Sequence, residues 1–272
     1  MYQFMLKAFK QFMTMFQNTT PQNITVSQVL SFLGDGLRIA VSRECRIYVI
    51  IPILFNLALM SLAGYWLFTY LNSLIFYLFN MWPDFLIFLA YIISCLMAAS
   101  IIFVACYFFS TVATILASPF YGLLADKVEM KLNGTKSEDL GFGGVIRDIP
   151  RIIRRELKKQ MFFIPRALLC LVVMFIPLLN VISPVLWFLL TSWMGCLQYC
   201  DYAYDNHKID FAVMRRDLAQ NNLATLSFGA LVAIAISVPV LNLIVPPAAV
   251  CAGTKYYLSI KNLENQDEEF TS

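Results

Sequence analysis

Hydrophobic positions in this chain gather into four long runs free of charge. No Asp, Glu, Lys or Arg falls between Arg46 and Asp84, a stretch of 37 positions, and 41 more follow from Phe85 to Ala125. Two further runs cover Ala167 to Cys200 (34 residues) and Leu218 to Thr254 (37 residues). A helix that crosses a bilayer needs about 20 apolar residues. Each run is therefore long enough to cross once, and none crosses twice comfortably.

The runs are of two kinds. Residues 47–79 and 86–116 have no proline after Pro52, and aromatic side chains (Tyr65, Trp66, Tyr70, Tyr77, Trp82) gather toward their ends. Such residues belong at headgroup level. The pattern predicts two long, tilted spanning helices joined by a turn at Met81-Trp82-Pro83-Asp84. The third and fourth runs instead share Pro-x-Leu-Asn-x-Ile-x-Pro: Pro177, Leu179, Asn180, Ile182 and Pro184 match Pro239, Leu241, Asn242, Ile244 and Pro246. Proline cannot donate its backbone N–H and blocks the preceding turn, so the motif predicts a turn in mid-run. The arms on either side, about 10–17 residues or roughly 15–25 Å of helix, fall short of the roughly 30 Å hydrocarbon core. Each run then reads as a hairpin of two half-helices, the other reading being a kinked spanning helix. Irregular backbone at membrane depth survives only where protein or a water-filled cavity satisfies it. Proline-broken segments in corresponding positions also point to a transporter's substrate path. This makes Pro177, Asn180, Pro184, Pro239, Asn242 and Pro246 candidate site residues.

Composition settles the solvent. The chain is 60% hydrophobic and 14% charged, with a mean hydropathy of +0.70, against about 45–50% and about 25% in soluble domains. A soluble globule, a disordered chain and a nucleic-acid binder are all excluded. The predicted fold class is an all-α integral membrane protein with two long transmembrane helices, two proline-broken helical hairpins and amphipathic charged helices. Residues 1–46 carry five positive and two negative groups, and 126–166 carry ten and six. Both stretches face the cytoplasm under the positive-inside rule. Residues 4–16 place Phe4, Met5, Ala8, Phe9, Phe12, Met13 and Phe16 on one helical face, an interfacial helix rather than a cleavable signal. The expected organisation is an amphipathic extension (1–25), a single membrane domain (26–260) and a polar acidic tail (261–272).

The charged stretch between spans and hairpins is predicted to form two helices, because Ser118-Pro119 and Ile149-Pro150 each set proline at a first helical position. One runs from Pro119 to about Leu132 and ends at Asn133-Gly134. After a loop at Gly141-Phe142-Gly143-Gly144, the second runs from Pro150 to about Phe162. On it Arg151, Arg154, Arg155 and Lys158 recur at three- and four-residue spacing beside Glu156 and Lys159, and Asp126 and Glu129 are placed to pair with those cations. Within a membrane such charges must pair or line a polar path, since each costs roughly 2.5–3.5 kcal/mol at the bilayer centre. In water they are a solvated face. Six of the seven cysteines lie in apolar runs, with no Cys-x-x-Cys pair and a single His207. They read as packing residues, with no metal and no cofactor expected. His207 reads as a satisfied loop histidine, titration near neutral pH being the alternative.

At Ser118-Pro119-Phe120-Tyr121-Gly122-Leu123-Leu124-Ala125-Asp126-Lys127-Val128-Glu129 the chain resembles the CysZ family of bacterial sulfate permeases. Asp148-Ile149-Pro150-Arg151, Arg155-Glu156, Pro165-Arg166-Ala167, Gln198-Tyr199-Cys200-Asp201-Tyr202, Asp205-Asn206-His207-Lys208, Phe228-Gly229-Ala230 and both Pro-Leu-Asn turns continue it in one register over roughly residues 30–258. The resemblance implies a multi-pass protein of the bacterial inner membrane that takes up sulfate for cysteine synthesis. It also implies partly penetrating hairpins and homo-oligomers built from antiparallel dimers, whereas the one-sided charge bias predicts a single orientation. The family carries its sulfate site on a Gly-Leu-Arg-Arg or similar stretch before the first span. This chain has Glu44-Cys45-Arg46-Ile47 there, so only Arg46 matches, with Arg43 three residues upstream; Gly36-Leu37-Arg38 lies eight residues too early.

Sulfate is a dianion near neutral pH, and its hydration shell must be replaced by N–H donors and cations. Arg43, Arg46 and the amide of Cys45 at the start of the first span suit that task. Anchoring of the helix at the headgroups is the competing role for these arginines. The second candidate, a pore or charge network, comprises Asp126, Glu129, Arg151, Arg154, Arg155 and Glu156. Entry of two negative charges into an inside-negative cell is uphill by roughly 4.6 kcal/mol at about 100 mV. No nucleotide-binding phosphate loop occurs in the sequence, leaving co-transported protons or metabolic consumption of sulfate as the driving force.

Overall fold

The computed structural model describes residues 24–81, 87–134, 142–238 and 241–271. The expected amphipathic helix at residues 4–16, most of the turn at 81–84, Gly141 and Pro239 lie outside them. Every regular element among the described residues is helical: α1 (Val26–Ala40), α2 (Arg46–Met81), α3 (Ile87–Asn133), α4 (Phe142–Phe175), α5 (Ser183–Asn206), α6 (Phe211–Gln220), α7 (Asn222–Ile236) and α8 (Val245–Thr271), with a single 3-10 turn at Leu241–Leu243. The all-α membrane class is as expected. The chain divides into two compact units, Ile50–Ser118 and the remainder.

The first unit holds the apolar lengths of α2 and α3. Segments Arg46–Tyr77 and Tyr91–Asn133 are long and apolar enough to cross a membrane, and only 6% of the most apolar window of each is buried within the chain. Trp66, Phe76 and Phe103 are each about two-thirds exposed or more, which suits a lipid solvent rather than water. Several of their serine and threonine hydroxyls bond within the helix: Ser61 donates to Leu57 O at 2.9 Å, Thr69 to Tyr65 O at 2.9 Å, and Ser100 to Leu96 O at 2.8 Å. A donor satisfied four residues back in its own helix needs no water.

Two boundaries differ from the sequence expectation. Pro119 does not begin a helix: α3 runs through it without interruption to Asn133. Nor do Pro150 and the glycine pair separate a loop from a helix, because α4 begins at Phe142 and continues through Pro150 and Pro165 into the third apolar run. An internal proline removes one backbone hydrogen bond, whereas ending a helix frees up to four groups at each terminus. Where water is scarce, continuation costs less. The predicted stop at Asn133-Gly134 is present: Gly134 adopts φ +67° and its N–H donates to Met130 O at 2.9 Å.

The second unit is built on two hairpins. Between α4 and α5 the chain turns at Ile176–Ile182, where Leu178 takes φ +72°. Ser183 Oγ lies 3.5 Å from Cys170 O, Gln198 Nε2 lies 3.5 Å from Glu156, and Arg151 reaches Asp205. Each step back along α4 is matched by a step forward along α5, so the two run antiparallel. In the second pair Thr225 of α7 meets Tyr256 of α8 at 3.0 Å, and Asp217 meets Lys261 at 3.3 Å. Pro184 sits in the first turn of α5, and Pro246 near the start of α8. Pro177, Asn180 and Asn242 are exposed in the turns. The charged α6 meets α7 at a bend of 103°.

Helix α5 is the centre of this unit, packing on α7, α8, α4 and α6, while α1 packs on α8. Its buried Leu190, Trp193, Cys196, Leu197, Cys200, Ala203 and Tyr204 recur at helical spacing. Helix α1 begins with a capping box, Thr25 N–H donating to Gln28 Oε1 at 2.8 Å, and buries Val29, Phe32, Gly36 and Ala40. Small residues permit the closest crossings. A Cβ on Gly229 of α7 would overlap the Ser192 carbonyl of α5, and one on Gly253 of α8 would come within 2.6 Å of Tyr199 O. Close backbone approach of this kind is characteristic of helix pairs packed within membranes. Gly229→Ala is expected to lower the thermal midpoint of the purified protein sharply, a loss of about 3 kcal/mol or more for overpacking against main chain. Gly34→Ala, where nothing lies within 4 Å, should be neutral or slightly stabilising; detergent-solubilised unfolding monitored by size exclusion compares the two.

Candidate functional site

Arg151, Arg155 and Lys159 stand four residues apart on α4, and Asp201 and Asp205 four apart on α5. The antiparallel hairpin turns these two stripes toward each other. Arg155 Nε donates to Asp201 Oδ1 at 2.8 Å, and Arg155 Nη1 to the Ile209 carbonyl at 2.5 Å. Lys159 Nζ lies 3.0 Å from Asp201 Oδ2 and 2.6 Å from Glu156 Oε1. Arg151 Nη1 meets Asp205 Oδ1 at 2.5 Å, and its Nη2 meets Asp148 at 2.7 Å. Lys159, Asp201, Glu156 and Arg155 are all buried, Lys159 to 1% exposure. Burial works against the Lys159 charge, but Asp201 and Glu156 outweigh it and hold the ammonium above its ordinary pKa.

Within this cluster Arg151, Arg155 and Lys159 face Asp148, Glu156, Asp201 and Asp205, so each cation has at least one carboxylate. Such a cluster survives burial because every member has a partner. Two expectations change. Arg154 is exposed and takes no part, and the α4 cations pair with acids of α5 and of α4 itself rather than with Glu129. Glu129 instead receives His207, with Nε2 lying 2.9 Å from Oε2. The reason is geometric: the α4–α5 hairpin brings Asp201 and Asp205 onto the α4 cations. Sequence reasoning missed Asp201 and Asp205 as partners, although two four-residue ladders of opposite sign were there to be read.

His207 caps the C-terminal end of α5, and its ring stacks on Tyr257 of α8 at 5.2 Å. The hydrogen bond it donates to Glu129 raises its pKa; burial opposes this, the Glu129 and Asp126 charges support it and Lys261 opposes it. Beside it, Asn206 Nδ2 donates to Gly122 O of α3 at 2.8 Å. The histidine is thus tied to α3 and α8 at once.

The other candidate lies where α1 passes into α2. Arg43 and Arg46 are exposed, with no ion pair or hydrogen bond among the described residues, while the neighbouring Glu44 is held by Lys131 at 3.0 Å. Cys45 behaves otherwise than expected. Its side chain is buried with Leu124, Ala125, Val128 and Cys251, and its amide donates to Ser42 O at 3.1 Å. A tight turn closes the gap between the helices and consumes that N–H. The arginine side chains remain as the free donors here. No group of three or more His, Cys, Asp or Glu among the described residues could hold a metal ion.

A family model described as Sulfate transporter CysZ/Etoposide-induced protein 2.4 matches residues 32–247. The chain belongs to this family. Relatives named Sulfate transporter CysZ include one from Pectobacterium atrosepticum, 43% identical over 224 residues, covering 82% of each chain. A second, from Vibrio parahaemolyticus, is 43% identical over 225 residues, covering 82% of this chain and 91% of its own. A third, from Salmonella typhimurium, is 41% identical over 228 residues, covering 84% and 90%. The CysZ family match takes in the arginine turn before α2, the charge cluster of the first hairpin and the turn of the second.

Asp201→Ala leaves Arg155 and Lys159 buried without their shared carboxylate. A loss of about 3–5 kcal/mol is expected for one broken partner of a buried pair, read as a fall in thermal midpoint; Asp210→Asn, which removes the exposed Lys158 pair at 3.6 Å but keeps a capping oxygen, should cost about 1 kcal/mol or less. For His207 the folded pKa is raised, so the contribution of its pair is full below the unfolded value near ~6.5 and disappears as pH rises through the folded value. The thermal midpoint is expected to fall over that interval, and His207→Gln should flatten that fall.

Proposed function

We propose that this protein carries sulfate across the bacterial inner membrane as a multi-pass permease, supplying sulfur for cysteine synthesis. The observation that carries the reading is the identity of 41–43% over more than four-fifths of relatives named Sulfate transporter CysZ. The two apolar helices able to span a membrane agree with it.

Arg43 and Arg46 are the residues proposed to meet the anion. They sit unpaired at the entry of the first span, where a guanidinium fork replaces water around a tetrahedral oxyanion by charge-assisted hydrogen bonds. Among the described residues neither has a carboxylate partner, which leaves their donors ready for a ligand. Asp126, Glu129, Arg151, Arg155 and Glu156 are proposed to act indirectly: Arg151, Arg155 and Glu156 hold the first hairpin, Glu129 holds His207 with Asp126 adding its charge, and the turn motifs with Pro177, Asn180, Pro184, Pro239, Asn242 and Pro246 set hairpin depth. The bare apolar sides of α2 and α3 suit lipid and a second copy of the chain, consistent with a dimer-based homo-oligomer.

Radiolabelled sulfate entry into proteoliposomes tests the function. Uptake above that of empty vesicles, competed by unlabelled sulfate, is expected; uptake equal to empty vesicles overturns the reading. Arg43→Ala with Arg46→Ala is expected to lower both sulfate affinity and flux, and unchanged affinity would move the entry site elsewhere.

A further inference from the structure

Most of the charge on α4 is matched. Arg151, Arg155, Lys158 and Lys159 each meet at least one carboxylate within 4.0 Å. One more pair of cations lies half-buried a few residues further on, and among the described residues neither has a carboxylate within 4.0 Å. Arg166 of α4 and Arg215 of α6 converge on a single ring, the Cζ atoms lying 3.5 Å and 4.6 Å from the Phe162 centroid. Arg215 also lies 5.2 Å from the centroid of Phe211, which packs edge-on against Phe162 at 5.8 Å. Both phenylalanines are buried. The rings pin the guanidinium planes, and the charge of Arg215 is felt at Arg166.

The donors are largely idle. Arg166 Nη1 donates to the Phe162 carbonyl at 2.5 Å, but its Nε is buried with no acceptor among the described residues. Arg215 makes no hydrogen bond there, and its Nε is buried and unpartnered too. The acid that acts on Arg215 is Asp210, which already faces Lys158 at 3.6 Å and caps α6 through the Ala212 N–H at 2.8 Å. Buried donors in folded proteins nearly always have an acceptor. Cation–π contact offsets part of the lost solvation but supplies no oxygen for the N–H groups.

We propose that Arg166 and Arg215 form a second oxyanion site that takes one tetrahedral phosphate or sulfate group. Two forked guanidiniums with free N–H edges, held by aromatic faces and without an ion pair among the described residues, are the donor set such a group requires. The position fits two sources of that chemistry. Arg166 immediately precedes the charge-free run Ala167–Cys200, and Met161, Ile164 and Leu168 around it are exposed apolar residues. A phospholipid phosphate is found at such a border, and so is a free anion arriving from water. The site is separate from Arg43 and Arg46 and does not depend on their role.

The test counts bound oxyanions on the detergent-purified protein in four forms: wild type, Arg43→Ala/Arg46→Ala, Arg166→Ala/Arg215→Ala and Arg166→Lys/Arg215→Lys. Native mass spectrometry reads retained phosphatidylglycerol, and equilibrium binding of radiolabelled sulfate, after exhaustive delipidation, reads the free anion. Loss of one equivalent of either ligand in the alanine form, with that equivalent kept in Arg43→Ala/Arg46→Ala, is the expected result. Loss of the lipid adduct alone names the membrane as the source; loss of sulfate alone names the aqueous anion. The lysine form keeps both charges without the fork, so it should fold and retain the ligand more weakly. Equal stoichiometry and affinity for both ligands in wild type and the lysine form, or in wild type and a folded alanine form, overturns the proposal. Because the readout is binding, a failure of sulfate flux would leave it standing.

Discussion

Burial of charge in a chain with little water around it is the constraint on which this structure depends. Lys159 and Asp201 are almost wholly enclosed, and neither would survive there alone. They persist because Arg155 and Lys159 share Asp201, and Arg151 meets Asp205, across the α4–α5 hairpin, while Glu156 holds Lys159 from within α4. The same pairing sets the hairpin's register. A slip by one helical position would separate ladders that repeat every four residues, leaving uncompensated charge in the core. Electrostatic matching therefore does for this hairpin what alternating hydrophobicity does for a strand.

Around that hairpin, backbone proximity replaces the usual large side chains. Gly229 meets Ser192, Gly253 meets Tyr199, and Gly36 meets Ala248 and Ala252. Dispersion and shape hold such crossings, since apolar burial gains little where the surrounding solvent is itself apolar. Larger rings fill the spaces left between them: Tyr204 with Tyr257, and Phe228 with Tyr256. His207 joins this assembly at its charged end through Glu129 and Tyr257.

Two pairs of arginines stand out among the described cations that have no carboxylate within 4.0 Å. Arg43 and Arg46 are exposed at the start of α2, and Arg166 with Arg215 is half-buried on two rings. Anion binding is the chemistry proposed for both places, Arg43 and Arg46 at the start of α2 and Arg166 with Arg215 at the border of an apolar run.

Much of the architecture was legible in the residues themselves. Uninterrupted apolar length, with its backbone satisfied inside a helix, is enough to specify a membrane-spanning element, so α2 and the apolar part of α3 could be read directly. The paired Pro-Leu-Asn motifs marked both turns for a similar local reason, the missing proline N–H. Continuation of α3 through Pro119 and of α4 through Pro150 and Pro165 was not legible, because it depends on what surrounds the freed backbone groups. Partner choice was hidden as well: Asp201, Asp205, Glu129 and His207 are charges whose mates lie up to 78 residues away. Local chemistry, carried by covalent order, determined the membrane class, the long helices and the turns. Only the tertiary structure decided which charges neutralise one another and which arginines remain, because pairing is a property of distance in space.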